Sequence, residues 1–244
     1  MHGDAHPARR APRPLGDGDL AVLSVRTGQW HWMNHTTERV WAAALDNPVP
    51  ELASQLRAEG MTGPIGTLAA QTVAFLTRAG LLTNDGPGNS TLPPQPPLLN
   101  RPVPAASDDP PLGPRLRAGI GLLLALGLMK LPLRIRMALV DQVRTLPVAS
   151  GQQTATAHAA VLRMRPAWWP ARIACMEVSL ATVVTVALGD RRAHWELGAR
   201  HCPAEAHAWV WTPEGAVGLS GRDADDPRRP WTAVATTPPV RPNE

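Results

Sequence analysis

The sequence predicts an α+β protein made of two domains that are joined by a proline-rich segment. An apolar run at 20–25, a turn at Thr27-Gly28 and an alternating run at 29–33 are typical of two short antiparallel strands, and helical periodicity follows them. Residues 93–97 read PPQPP, which favours an extended chain over a helix or an inner strand. Beyond this segment come long apolar helical stretches and then strand-like runs. We therefore expect two folded regions.

Composition supports folded domains and argues against several classes of protein. With 44% hydrophobic residues, the 244-residue chain is apolar enough to fill a core. The net charge of +4 is small and the basic residues are scattered, so we do not expect nucleic-acid binding. Two cysteines are too few for a disulfide framework, and the N-terminus lacks the apolar run of a signal peptide. We therefore predict a reduced, cytoplasmic protein.

The first domain is predicted to be a hairpin followed by three short helices. We predict two strands, at 20–25 and 29–33. Three helices follow: the first begins after residue 34 or 36 and ends at 45, the second covers 49–58 and the third covers 66–78. Asn34 or Thr36 suits the N-cap of the first helix, and Gly80 suits the stop after the third. We assign residues 19–84 to this domain and expect residues 1–18, rich in Pro, Arg, Gly and Asp, to be disordered.

A stiff linker and a second domain are predicted to follow. The predicted segments are the linker at 85–114, the second domain at 115–235, its first helices at 116–131, 133–144 and 152–164, and a disordered tail at 236–244. Pro132 is expected to separate the first two helices. We interpret His158, alone on the third, as a surface or capping residue.

The first helix of the second domain carries a wide apolar stripe. It consists of Leu122, Leu123, Leu126 and Met129. We assign this stripe to the core, and contact with a membrane or a partner protein is the less favoured alternative. The apolar run at 118–129 is shorter than the roughly 20 residues that a membrane span needs.

Cys175 and His207 are the candidate catalytic residues. Cys175 opens an apolar, helix-like run to Ala181, and His207 lies in a strand-like run from Ala206 to Trp211. The positive end of a helix and an imidazolium partner both stabilise a thiolate, which is the nucleophilic form of cysteine. In the mechanism that this pattern predicts, His207 takes the thiol proton and the backbone N–H of Cys175 helps to hold the oxyanion.

These two runs resemble the lasso-peptide B proteins, leader peptidases with a transglutaminase-like fold. That family carries a Cys-Leu-x-x-Ser-Leu-Ala helix start and an Ala-His-Ala-Trp-Val strand; here the runs read CMEVSLA from Cys175 and AHAWV from Ala206. The resemblance implies a C-terminal cysteine protease domain of the papain/transglutaminase-like type with N-terminal helices.

The third catalytic residue departs from the family pattern. Members usually carry an Asp a dozen or so residues after the His, but that slot here falls on Leu219 or Ser220, and neither bears a charge. We name Asp223 as the acid that orients the imidazole, with Asp225 or Asp226 as alternatives.

The first domain resembles the small winged-helix modules related to PqqD, which bind the leader of a ribosomally made peptide. The matching residues are Thr27, Gly28, Trp30, Asn34, Val40, Trp41, Gly80, Leu81 and Leu82. The resemblance implies that the leader adds as a strand to the hairpin edge beside the last helix. The leader-binding residues would be Gln29, Trp30, His31, Trp32, Met33, Leu68, Thr72, Phe75 and Leu76. Alternatively, Trp30 and Trp32 only pack the sheet.

Together the resemblances imply a leader peptidase of lasso-peptide maturation that needs no cofactor. Its partners would be the precursor leader and an ATP-dependent, asparagine-synthetase-like lasso cyclase. A non-catalytic adaptor that delivers the precursor to the cyclase is the alternative, and acyl transfer to an amine by the same thiol is a third hypothesis.

Cys202 has several interpretations. It is a second thiol, a disulfide partner of Cys175, a buried small hydrophobe, or a metal ligand together with His194, His201 and His207. The spacings typical of zinc sites are absent, so we predict no metal site.

Overall fold

The computed structural model divides the chain into two compact units, residues 1–95 and 96–244. It describes residues 13–14, 20–24, 28–34, 36–37, 49–58, 60, 63–78, 102–106, 109–165, 174–200, 203–219 and 231–238. Each unit contains helices and its own antiparallel sheet, of three strands in the first and four in the second. The predicted mixed α+β class is confirmed.

The sheet of the first unit is the predicted hairpin with one short addition. Its strands are β1 (Arg13–Pro14), β2 (Leu20–Ser24) and β3 (Gln29–Met33), in the order β1-β2-β3. Gly28 adopts a left-handed φ of 73°, and its N–H donates to the carbonyl of Ser24 at 2.7 Å, which closes the turn. Strand β1 lies inside the segment 1–18 for which we expect disorder; the remainder of that segment lies outside the described residues.

Two helices complete the described part of the first unit. They are α1 (Val49–Ala58) and α2 (Ile65–Arg78). They pack through a small apolar core of Leu52, Leu56, Ile65 and Ala69. The predicted bounds of α1 are confirmed, and α2 begins one residue earlier than predicted. Asn34 caps the helical turn at 36–37, which comes before α1 in the chain, because its Oδ1 accepts from the N–H of Thr37 at 2.9 Å. The rest of that helix lies outside the described residues, and the winged-helix arrangement stays a prediction.

The second unit places its helices against one four-stranded sheet. Its elements are α3 (Leu112–Leu128), α4 (Leu133–Asp141), a 3₁₀ turn (Gln142–Thr145), α5 (Gly151–Met164), α6 (Cys175–Ala187), β4 (His194–Arg200), β5 (Glu205–Thr212), β6 (Gly215–Val217) and β7 (Thr232–Thr237). The strand order is β6-β5-β4-β7. Helix α6 packs against α3 and α5 and also against β5. It is therefore the central helix of this unit.

Helix α3 differs from the prediction at its start and in the face that it buries. It begins at Leu112, inside the predicted linker, because Pro114 falls in the first turn, where a missing N–H breaks no helical hydrogen bond. The break at Pro132 is confirmed, since this residue caps α4. The assignment of the stripe to the core is wrong for Leu123, which is 72% exposed. Within the described residues, no helix is long and apolar enough to cross a membrane.

Small residues decide which face of α3 is buried. The buried residues are Ala118, Gly121, Leu122 and Ala125. A Cβ on Gly121 would overlap the hydroxyl of Thr185 and lie 3.0 Å from the carbonyl of Ala181, both on α6, so α3 and α6 are in close contact at this glycine. Because that contact needs a small side chain, α3 turns its glycine and alanines inward, and large apolar residues such as Leu116 face outward.

The sheet of the second unit is locked by a tryptophan that crosses β4. Trp209 on β5 is fully buried, and its Nε1 donates to Oε2 of the buried Glu196 at 2.5 Å. Thr236 on β7 donates to the other oxygen of Glu196 at 3.2 Å. Gly198 on β4 leaves space for the Trp209 ring, because a Cβ at this position would overlap that ring and the carbonyl of Thr232. The strand that carries His207 is thereby fixed to its neighbours.

We expect Gly198→Ala to lower the free energy of unfolding by about 2 kcal/mol or more, because the added methyl overpacks a buried site. Chemical denaturation followed by tryptophan fluorescence measures the effect. Gly127→Ala in α3 is the matched control: a Cβ at this position meets nothing within 4 Å. The control should gain roughly 0.5–1 kcal/mol from better helix propensity. Equal stability of Gly198→Ala and the wild type would contradict the proposed packing.

Candidate active site

Cys175 is the first residue of helix α6, as predicted. Its thiol is free and half-buried, and the helix continues from it into the core of the second unit. At this position the backbone N–H groups of the first turn have no acceptor within the helix, so they are available to a bound anion. The N–H of Met176 hydrogen-bonds the Cys175 sulfur. The helix start therefore stabilises negative charge at the thiol.

The residues after the cysteine anchor α6 in the domain. The hydroxyl of Ser179 accepts from Nε1 of Trp195 on β4 at 2.9 Å and donates to the carbonyl of Met176 at 3.2 Å. Leu180 and Ala181 are fully buried. Ser179 of the sequence motif thus attaches the cysteine helix to the sheet, and the Leu-Ala part lies in the core.

His207 lies on β5 among tryptophan rings. Its ring centroid is 6.3 Å from that of Trp209, in a stacked arrangement, and 5.4 Å from that of Trp231. His207 and Trp209 are two residues apart on a strand and therefore share one face of the sheet. Arg200 lies over the ring of Trp231 at 4.4 Å. The imidazole is consequently half-buried and held by rings that limit its rotation.

The structure brings Cys175 and His207 together, because the thiol and the imidazole hydrogen-bond one another. Burial by itself would raise the pKa of the Cys175 thiol. The hydrogen bond and charge of His207, aided by the N–H groups of Ala208 and Met176, outweigh burial and lower this pKa below its ordinary value of 9.0. Formation of the thiolate is therefore favoured.

The pKa of His207 moves in the opposite direction. Burial alone would lower it, but the hydrogen bonds with Cys175 and with the carbonyl of Gly218, and the charge of Cys175, raise the pKa above its ordinary value of 6.5. The charge of Arg200 opposes this rise. A lowered thiol pKa and a raised imidazole pKa together favour the thiolate–imidazolium pair, which is the reactive form of a cysteine nucleophile.

The second nitrogen of His207 meets a backbone carbonyl. Nε2 lies 3.1 Å from the carbonyl oxygen of Gly218, which accepts its proton. Nδ1 is then the ring nitrogen available to the thiol. Leu219, in the slot where the family pattern places an acid, is buried beside Trp209. Ser220 and the acids at 223, 225 and 226 lie outside the described residues, so the orienting role of Asp223 stays a prediction.

Sequence comparison finds a family match for the part of the chain that contains this pair. Residues 120–234 match the model of the transglutaminase-like superfamily. This part of the chain is a transglutaminase-like core domain. The match runs from within α3 to β7 and includes both Cys175 and His207. The first unit lies outside it, and no curated protein and no solved structure matches the chain.

The transglutaminase-like domain contains a second histidine at the site that sequence reasoning missed. His158 on α5 was expected at the surface or at a cap, but its Nδ1 lies 3.2 Å from the hydroxyl of Thr182 on α6. Its ring also contacts Gly218, since a Cβ on that glycine would lie 3.2 Å from Cε1 of His158. No sequence signal pointed to this position, because the contact depends on how α5 packs against α6 and β6.

His194, considered above as a metal ligand, is hydrogen-bonded at both ring nitrogens. Nε2 accepts from Nη1 of Arg192 at 3.1 Å, and Nδ1 donates to the carbonyl of Pro238 at 2.7 Å. Among the residues that the structure describes, no three possible metal ligands come together. His201 and Cys202 lie outside those residues, so their interpretations stay as stated.

The predicted leader-binding residues lie on one edge strand and one helix of the first unit. Gln29, Trp30, His31, Trp32 and Met33 form β3, and Leu68, Thr72, Phe75 and Leu76 lie on α2. The rings of His31 and Phe75 meet edge to face at 5.9 Å, which joins the strand to the helix. Trp30 and Trp32 stack at 6.2 Å. Met33 and Thr72 are buried, whereas Trp32 and Phe75 remain 36% and 42% exposed.

We expect the alkylation rate of Cys175 by iodoacetamide to reach half of its maximum below pH 9.0, the ordinary pKa of a thiol. His207→Ala removes the hydrogen bond and the charge that lower this pKa and leaves burial, which raises it, so the half-maximum should move to higher pH. Mass spectrometry of the Cys175 peptide over a pH series measures both profiles. Coincident profiles would show that the imidazole does not act on the thiol.

Proposed function

We propose that the protein is a leader peptidase of lasso-peptide maturation, which binds the precursor leader and hydrolyses the bond between leader and core. The observation that carries the proposal is the hydrogen-bonded Cys175–His207 pair, with opposite pKa shifts, inside a transglutaminase-like domain. Such a pair performs acyl transfer through a thioester. The resemblance of the two motifs to the B proteins supports a peptide leader as the substrate.

The reaction has two steps. His207 takes the Cys175 proton, the sulfur attacks the scissile carbonyl carbon, and the developing oxyanion faces the N–H groups at the start of α6. The C–N bond then breaks, and the imidazolium gives its proton to the departing amine, which leaves a thioester on Cys175. In the second step His207 takes a proton from water, and the resulting attack releases the acid and restores the thiol.

The first unit supports leader capture. Strand β3 is at the edge of its sheet, and the exposed rings of Trp32 and Phe75 lie on β3 and α2, which meet through His31. An extended peptide beside β3 would gain backbone hydrogen bonds from the strand and apolar contact from the rings. Since both units belong to one chain, capture of the leader raises the local concentration of the scissile bond at Cys175. The released core would then pass to an ATP-dependent lasso cyclase.

Cys175→Ala is expected to abolish cleavage of the precursor peptide while leaving the affinity for its leader unchanged, because the nucleophile is lost and the first unit is untouched. Liquid chromatography with mass spectrometry measures the products, and fluorescence anisotropy of a labelled leader measures affinity. Cys202→Ala is the matched control and should still cleave. Retained cleavage by Cys175→Ala would exclude this thiol as the nucleophile.

The same assay distinguishes the other hypotheses. A wild-type protein that binds the leader but leaves the precursor intact, with and without its cyclase, would favour the adaptor. A product whose mass shows an added amine in place of water would favour acyl transfer.

Trp32→Ala and Phe75→Ala are each expected to weaken leader binding about tenfold or more, the effect typical of an aromatic anchor at an interface. Thr77→Ala is the control, since Thr77 is exposed on α2 and nearly opposite Phe75 around the helix. Anisotropy titrations measure the affinities. Unchanged binding in both aromatic variants would place the leader elsewhere.

A further inference from the structure

His158 links the helix that begins with Cys175 to the residue whose carbonyl accepts from His207. It lies on α5, and its Nδ1 is 3.2 Å from the hydroxyl of Thr182, on the helix that begins with Cys175. Its ring also lies against Gly218, whose carbonyl accepts from Nε2 of His207. One imidazole therefore touches the cysteine helix and the peptide that orients the catalytic imidazole.

The hydrogen bonds around Thr182 favour one tautomer of His158. The Thr182 hydroxyl is placed to donate its proton to the carbonyl of Val178 at 2.8 Å, and it then acts as an acceptor towards His158. In this arrangement Nδ1 of His158 carries the proton. Burial, together with the charge of His207, lowers the pKa of His158 to about 4. The ring is therefore neutral at neutral pH and adds no positive charge to compete with a protonated His207.

The ring of His158 packs beside Gly218. Gly218 has no side chain to pack, and its φ of 91° is in the left-handed region that favours glycine. The space where a side chain would begin is bordered by the His158 ring, with Cε1 at 3.2 Å. The ring thus limits the movement of a backbone carbonyl that would otherwise lie on a permissive turn.

We propose that His158 is a positioning residue. It links helix α6 to the Gly218 peptide and thereby holds the Cys175 thiol within hydrogen-bonding distance of the His207 imidazole. The inference rests on the proposed catalytic use of the pair, but it concerns the thiol–imidazole geometry itself. Among the described residues, the groups whose charge acts on His207 are Cys175 and Arg200, and the charge that acts on His158 is that of His207. A variant at 158 therefore reports on a small set of interactions.

Two-dimensional ¹H–¹⁵N spectra of the wild-type imidazoles test the premise without any substitution. The expected result is a neutral His158 with its proton on Nδ1 from pH 5 to pH 8. A proton on Nε2, or titration of His158 near the ordinary pKa of 6.5, would overturn the proposal.

The second test compares two hydroxyls of one helix. Thr182 and Thr185 both donate to the carbonyl four residues earlier, but Thr182 contacts His158 and Thr185 faces Gly121. Thr182→Val and His158→Ala are each expected to raise the pH of half-maximal Cys175 alkylation by about one unit, which is about a tenfold lower rate below that pH. Thr185→Val should keep the wild-type profile, and Thr182→Ser should restore it by returning the hydroxyl.

Unchanged profiles in both Thr182→Val and His158→Ala would overturn the proposal, and so would equal shifts in Thr182→Val and Thr185→Val, which would indicate general loosening of α6. Circular dichroism and melting curves identify folded variants, and if His158→Ala does not fold, the threonine series and the spectra decide. Failure of precursor cleavage with a normal alkylation profile would reject the proposed function alone.

Discussion

The hydrogen bond between the Cys175 thiol and the His207 imidazole is the interaction on which the rest of the second unit depends. Burial acts against the charged form of each group, since it raises the thiol pKa and lowers the imidazole pKa. Both pKa values nevertheless move the other way, because each group supplies the charge and hydrogen bond that the other needs. Neither residue would be activated alone, so the fold must hold both at contact distance.

The two supports of this contact are built differently. Helix α6 is fixed along its length, through Ser179 to Trp195 and by close contact with α3 at Gly121. Strand β5 is fixed through Trp209, which crosses Gly198 to reach a buried carboxylate. The polar groups of these two supports thus bond one another, and the half-buried thiol remains available for chemistry.

Local sequence predicted the positions of the reactive residues but not everything that surrounds them. Cys175 at a helix start and His207 on a strand were readable, because periodicity and short motifs encode secondary structure. Gly218 was not, because every residue type carries a carbonyl and only the fold decides which carbonyl meets a ring. His158 and the buried face of α3 were missed for a related reason: both depend on helix packing, in which a glycine such as Gly121 outweighs the more apolar leucines.

The Gly218 acceptor gives the site a property that a carboxylate would lack. A carboxylate that orients an imidazole loses its hold when it takes up a proton in acid, whereas an amide oxygen remains unprotonated throughout the working range of proteins. Nor can any side-chain replacement delete it, because it belongs to the main chain. The grip on Nε2 is therefore insensitive to acidity, and loss of reactivity in acid reports protonation of the sulfur rather than release of the ring.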